Sequence, residues 1–245
     1  MIINNEPYEH LVIEKFLNES DYKDVKIEAM RLHDIGKTDQ SYHLNSKKSA
    51  NHRYSDYEVE IGERLKEIYT GKVKELAENL LGYKVLTDIE HNWGGGFHFL
   101  ERGGFLNMHV DFNIHPHTGL KRVANAIIYL NDGWESNWGG NLKLLNKRTR
   151  EEISYTPEGN RLVIFPVRDD TWHGNPERVN SDRVRASFAM YFYIKMQDET
   201  ETAHSTIYID EARIGVNTFY NLFWKWAKFL IPKSFIFWIK KKILK

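Results

Sequence analysis

Between residues 85 and 194 the chain never settles into a helical period. Apolar runs of strand length recur about every ten residues, from 85–99 and 106–112 through 123–131 and on to Ile194, with Gly or Pro standing at the joins. Such runs, with tight turns between them and no helical crossovers, predict antiparallel strands in a sandwich or jelly roll and exclude a parallel α/β sheet. The stretch 57–86 behaves differently, because Val59, Ile61, Leu65, Ile68 and Tyr69 keep roughly helical spacing and predict a flanking helical layer. Gly36 to Tyr57, with Lys37, Lys47, Lys48, His52 and Arg53, reads as a basic loop. Its charge suits an acidic or phosphorylated substrate, or a solvated lid.

Composition narrows the class. A chain of 245 residues with 41% hydrophobic and 13% aromatic residues fits one barrel with added helices. With no Cys, neither a disulfide framework nor a thiolate metal site is available. The N-terminus carries no basic segment followed by an apolar stretch, and Glu6, Glu9 and Glu14 interrupt it, so no secretory signal is expected and the protein is read as cytoplasmic. Equal numbers of acidic and basic residues, 34 each, conceal an asymmetry: after Glu211 come eight Lys or Arg and no acid.

That tail is set apart as 211–245, following a first unit of 1–210 with core strands at about 85–195. Phe219, Phe223, Trp226 and Leu230 follow helical spacing, and after Pro232 a second apolar segment runs into Lys240, Lys241 and Lys242. Each half is too short to cross a bilayer core of about 30 Å. A basic, Trp-rich amphipathic pair over 217–245 fits peripheral contact with the inner membrane face; packing on the barrel or on another subunit is the alternative. Nucleic acid is disfavoured, since the aromatics cluster rather than interleave with cations. Nothing in the pattern fixes the oligomeric state.

The chemistry concentrates in three places. In His109-Val-Asp111 the first and third residues of a strand share a face, so an imidazole and a carboxylate project together, and His173 supplies a distant third ligand. Two His and one carboxylate on one face of an octahedral ion leave its other positions open, as in non-haem Fe(II) oxygenases. After the turn-forming Gly174-Asn175-Pro176, Arg183, Arg185, Ser187, Ala189, Tyr191 and Tyr193 share one parity. A guanidinium and a hydroxyl on the metal side would suit the far end of a dicarboxylate.

The chain resembles the 2-oxoglutarate and Fe(II)-dependent dioxygenases of the prolyl 4-hydroxylase-like group. The resemblance spans residues 7–193 and rests on "PYEHLVIEKFL" at 7–17, "MHVDFNIHP" at 108–116, "AIIYLNDGW" at 126–134, "WGGNLKLLN" at 138–146, "RLVIFP" at 161–166, "WHGNPE" at 172–177 and "RASFAMYFY" at 185–193, in the family's order. It implies a mainly β double-stranded β-helix, cupin-like, with flanking N-terminal helices and a C-terminal helical tail. It also implies a hydroxylase that takes Fe(II), 2-oxoglutarate and O2, with ascorbate a candidate accessory, and releases succinate and CO2. His109, Asp111 and His173 would hold the metal. Arg185 would be the catalytic-site clamp on 2-oxoglutarate, with Ser187 beside it and Tyr129 helping to hold the distal carboxylate.

Several readings stay open. Tyr129 is either that cosubstrate contact or a core tyrosine. Arg183, ten residues after His173, is the alternative clamp or a helper to Arg185. His115 and His117 read as loop residues or as the mouth, His98 as lying on the cavity side, and Leu100 stands where many relatives carry tyrosine. Gly94-Gly95-Gly96 reads as a turn rather than a phosphate cradle. Trp134 reads as packing, while Trp138 and Trp172 could flank the pocket. Substrate remains a small molecule or a peptide: peptidyl proline, a free amino acid or another compound. The competing classes are a 2-oxoglutarate-independent metalloenzyme and a non-catalytic barrel that binds a sugar or peptide.

Overall fold

A computed structural model describes residues 2–196 and 202–209. In chain order these are β1 (Ile2–Asn4), β2 (His10–Ile13), α1 (Glu19–Asp34), β3 (Asp39–His43), β4 (Ser46–Asn51), α2 (Val59–Ile68) and α3 (Lys74–Leu81). Then follow β5 (Leu86–Thr87), β6 (Gly96–Leu100), β7 (Phe105–Val110), β8 (Lys121–Tyr129), β9 (Leu142–Asn146), β10 (Glu152–Tyr155), β11 (Leu162–Pro166), β12 (Thr171–Asn175), β13 (Arg185–Ile194) and β14 (Ile207–Tyr208). The tail readings at 211–245 lie outside the described residues. Among those described, no helix is long and apolar enough to cross a membrane.

All pairings are antiparallel, in the order β1-β2-β11-β8-β13-β6-β4-β7-β12-β9-β10. The arrangement is a jelly roll: β11, β8, β13 and β6 form one wall, and β7, β12, β9 and β10 form the other. β4 joins the walls, pairing with β6 through Ser49↔Phe99 and with β7 through Ser46↔Leu106.

Strand alternation divides the chain into two interiors. On the first wall, Phe97, Phe99, Ala124, Ala126, Ile128, Ile164, Ala186, Phe188, Met190 and Phe192 face outward. They form one core with Val25, Ala29 and Leu32 of α1, Leu65 of α2 and Ala77 of α3. The intervening residues face into the barrel, where Tyr129, Val163 and Phe165 pack with Leu142 and Leu144 from the second wall. Polar side chains can occupy this inner space without disturbing the apolar core, which lies on the other face of the same strands.

Local chemistry fixes the helical layer. Asn18 caps α1, its side chain accepting from the Asp21 amide at 2.8 Å and donating to the Asp21 carboxylate at 2.8 Å. Glu28, buried on α1, accepts two bonds of 2.7 Å from Arg31 and one of 2.8 Å from the Glu58 amide, which ties the start of α2 to α1. α3 ends at Gly82, whose φ of 79° is left-handed.

One expectation is corrected. The segment read as a basic loop is largely the β3–β4 hairpin, and β4 is the strand that joins the walls. Its composition, Ser-Lys-Lys-Ser-Ala-Asn, contains no β-branched or aromatic residue. Pairing with β6 and β7, rather than local propensity, makes it a strand. The same junction requires Gly96: its φ is +78°, and a Cβ there would stand 2.2 Å from the Asn51 carbonyl oxygen. Gly96→Ala is therefore expected to cost about 3 kcal/mol by urea unfolding, combining left-handed strain with overpacking. Gly36→Ala, at a φ of +70° but with nothing within 4 Å of the added carbon, is expected to cost about 1 kcal/mol.

Candidate active site

The register of β7 and β12 builds the metal-ligand cluster. Met108 and Val110 turn outward against Trp172, so His109 and Asp111 turn inward, and His173 lies directly opposite His109. The two imidazole rings are 4.3 Å apart between centroids. Asp111 Oδ1 lies 3.5 Å from His109 Nε2, and Asp111 Oδ2 lies 3.2 Å from His173 Nε2. All three residues are buried, and their ligand atoms lie within 4.8 Å of one another. His109 Nδ1 donates to the Asn107 carbonyl at 2.8 Å, which leaves the Nε2 lone pair directed at the cluster.

Asp111 is held from behind. Arg122 approaches its Oδ2 at 2.9 Å, and Asn125 Nδ2 donates to the same oxygen at 2.8 Å. Burial alone would raise the Asp111 carboxyl, but the adjoining Arg122 guanidinium outweighs it and holds the group well below the usual carboxylate range. Burial, reinforced by His109, lowers His173. The site therefore presents an ionised carboxylate and a neutral His173 imidazole, the forms that bind a divalent cation. Arg122 is kept in place by the faces of Tyr191, 3.3 Å from its guanidinium carbon to the ring centroid, and Phe112, at 4.7 Å.

Deeper along the first wall, Ser187 pairs with Tyr129 across β13 and β8, and Arg185 lies two residues before Ser187 on the same face. Arg185 is 4% exposed, Ser187 2% and Tyr129 0%. One guanidinium nitrogen donates to Ser187 Oγ at 3.1 Å, and the guanidinium carbon lies 4.8 Å above the Tyr129 ring. Arg185 Nε and the Tyr129 hydroxyl are both buried with no hydrogen-bond partner. Burial pushes the Arg185 guanidinium down, opposed by Tyr129, and no carboxylate bears on it. An unpaired buried cation beside an unpaired hydroxyl fits a carboxylate supplied by a bound molecule. The His109, Asp111 and His173 donor set likewise fits Fe(II).

The other singled-out residues are distributed around this centre. Arg183 is exposed, donates to the Asp132 carbonyl at 2.7 Å and lies over Trp138, so it is not brought to the cavity. β13 begins only at Arg185, and the strand parity that would have aligned the two arginines does not reach Arg183. His98 faces inward opposite Ser187, and burial, with Lys48 and Arg185 adding to it, holds the imidazole well below its ordinary range. His115 is buried against Asp88 at 2.8 Å, and His117 stacks on His91. Trp134 donates to the Gly139 carbonyl at 3.0 Å and packs against Trp138.

Arg122 and Asn125, both touching Asp111, were not singled out in the sequence as site residues. Strand parity places Asn125 on the Tyr129 face, which was the available signal. Arg122 lies on the opposite parity and reaches the site because β8 and β13 shift register between Phe192 and Tyr193. A cleft of about 580 Å³ opens onto Asp111 and Arg122, lined also by Lys121, Arg148 and Arg168. Tyr208 of β14 pairs with His109, with the rings 5.6 Å apart.

Comparison with known proteins agrees with this geometry. The 2OG-Fe(II) oxygenase superfamily matches residues 95–193, which contain every residue of the metal cluster and of the Arg185 pocket. No curated protein sequence matches the chain. Among solved structures, a Pseudomonas putida prolyl-4-hydroxylase is similar at 17% identity, covering 76% of this chain and 92% of that one, with a TM-score of 0.53. A Trichoplax adhaerens prolyl hydroxylase, solved with a hypoxia inducible factor peptide fragment, is similar at 18% identity, 75% and 83% coverage and a TM-score of 0.58. The non-haem α-ketoglutarate-dependent carbocyclase of nogalamycin biosynthesis is similar at 11% identity, 81% and 88% coverage and a TM-score of 0.57. Residues 95–193 match the 2OG-Fe(II) oxygenase superfamily, and that match together with the site geometry supports a 2-oxoglutarate-dependent non-haem iron dioxygenase.

Proposed function

We propose that His109, Asp111 and His173 hold the iron, that Arg185, Tyr129 and Ser187 hold the distal carboxylate of 2-oxoglutarate, and that the enzyme hydroxylates a carbon of a peptide substrate. The observation that carries the site assignment is the buried Arg185 guanidinium, which points into the same barrel interior as the metal cluster with no acid partner among the described residues and an unsatisfied tyrosine hydroxyl beside it. Bound Fe(II), 2-oxoglutarate and O2 supply the oxidising power, with succinate and CO2 as coproducts. The chain's own residues bind, orient and exclude water. Arg122 and Asn125 hold one oxygen of Asp111, so the carboxylate keeps a fixed orientation toward the two Nε2 atoms. Tyr129 and Ser187 fix the guanidinium laterally, and the inner apolar residues Val163 and Phe165 keep that end dry.

The peptide class draws support from the Trichoplax neighbour, which was solved with a peptide. The cleft at Asp111 and Arg122 has the volume to admit one side chain with its flanking backbone. A small-molecule substrate is the second reading, favoured by the similarity to the carbocyclase.

Anaerobic titration of the protein with Fe(II) and 2-oxoglutarate should develop a visible metal-to-ligand charge-transfer band. Asp111→Ala should abolish it, and Arg185→Ala should raise the half-saturating 2-oxoglutarate concentration about a hundred-fold. A folded, iron-loaded protein without the band would remove the cosubstrate reading. Arg122→Met and Asn125→Leu should each weaken divalent-metal binding by about ten- to a hundred-fold, measured by Mn(II) titration. Wild-type affinity in both would show that Asp111 needs no support from them.

A further inference from the structure

Among the described residues, Lys48 is an inward-facing cation whose role the site assignment leaves unexplained. In β4, Ser49 pairs with Phe99, and Ala50 pairs with His98. His98 faces the barrel interior and Phe99 the helical core, so Lys48 and Ala50 face the interior with His98 and Leu100. Leu100 in turn pairs with Arg185. The row therefore runs from Lys48 past Leu100 to Arg185. Lys47, on the opposite parity, reaches outward and donates to the Arg102 carbonyl at 3.4 Å.

The Lys48 ammonium has no hydrogen bond or ion pair among the described residues. Burial pushes it down to about 8, and the charges bearing on it are Asp111, which favours its protonated form, then Arg122 and Arg185, which oppose it. It thus lies within the field of both the metal-ligating carboxylate and the distal-carboxylate pocket. Its neighbours supply no counterion. Arg122 is already paired with Asp111, and His98 donates its Nε2 hydrogen to the Gly94 carbonyl at 2.9 Å. Ala50 and Leu100 bring no polar side-chain atom to this wall.

Two cations facing one interior, the partly exposed Lys48 and the buried Arg185, consequently have no anion between them among the described residues. Holding like charges together in a poorly solvated space is unfavourable, and a ligand with two negative charges relieves both at once. We propose that Lys48 is a second binding residue for 2-oxoglutarate, pairing with the carboxylate at its 2-oxo end while Arg185 takes the distal one. The inference rests on the cosubstrate reading above and adds to it a residue contributed by the hairpin rather than by the jelly roll. With the distal carboxylate taken by Arg185, which lies in the same row across Leu100, the carboxylate at the 2-oxo end is the one left for Lys48. The hairpin thereby becomes part of cosubstrate recognition.

The test is an anaerobic titration of Fe(II)-loaded protein, read by the charge-transfer band, with two probes: 2-oxoglutarate and 2-oxobutyrate, which lacks the distal carboxylate. Lys48→Met should weaken both acids by about ten- to a hundred-fold, the loss of one charge-assisted contact, and Lys48→Arg should recover most of the affinity. Arg185→Met should weaken 2-oxoglutarate alone. Urea unfolding of unliganded Lys48→Met should show no loss of stability, separating a binding role from a structural one. A band in the wild type with equal affinities in Lys48→Met would overturn the Lys48 assignment and leave the cosubstrate reading standing, as would weakening of 2-oxoglutarate alone. No band in the wild type with either acid would overturn both.

Discussion

Taking a guanidinium out of water without a carboxylate costs several kcal/mol, of the order found for buried ions after relaxation. Arg185 bears that cost at the start of β13, between a serine hydroxyl and a tyrosine face that together replace only part of its hydration. Lys48, on the strand that joins the two walls, adds a second cation facing the same interior. The rest of the fold is arranged so that this unfavourable interior is tolerated. The helical core on the outer face of the same strands, from Phe97 and Phe188 to Leu32 and Leu65, supplies apolar burial independently of anything inside the barrel.

The opposite end of the cavity is built on compensation. Asp111 is buried as well, but Arg122 and Asn125 satisfy one oxygen and the two histidines lie against the carboxylate, so the protein itself sets how these three side chains meet. The two ends follow different rules. At Asp111 the protein provides the partners and leaves the metal to complete the cluster. At Arg185 it supplies no acid among the described residues, and under the proposed function binding affinity would come from relieving a cost already incurred in folding.

Much of this was legible in the sequence because it depends on strand parity. His109 with Asp111, Arg185 with Ser187, and Tyr129 are inward-facing residues, and an alternating pattern carries that information without any tertiary knowledge. Strand parity misleads where a strand ends or shifts. Arg183 stands before β13 begins and points to the surface, whereas Arg122 reaches Asp111 through a register shift that no local pattern announces. Lys48 was hidden for another reason: β4 has the composition of a loop and becomes a strand only through its pairing with both walls, so its alternation could not be read in advance. The basic character of that segment was visible, and its inward direction was not.

Equilibrium urea unfolding of the ligand-free protein and of Arg185→Met tests the central claim, that the guanidinium is held at a cost for a ligand. If the charge is unpaired in the folded state, the methionine variant should match or exceed the wild type, by up to about 4 kcal/mol, and gain less stability from 2-oxoglutarate than the wild type does. If the variant instead loses about 2 kcal/mol or more without ligand, Arg185 is satisfied by the protein itself and the account is wrong.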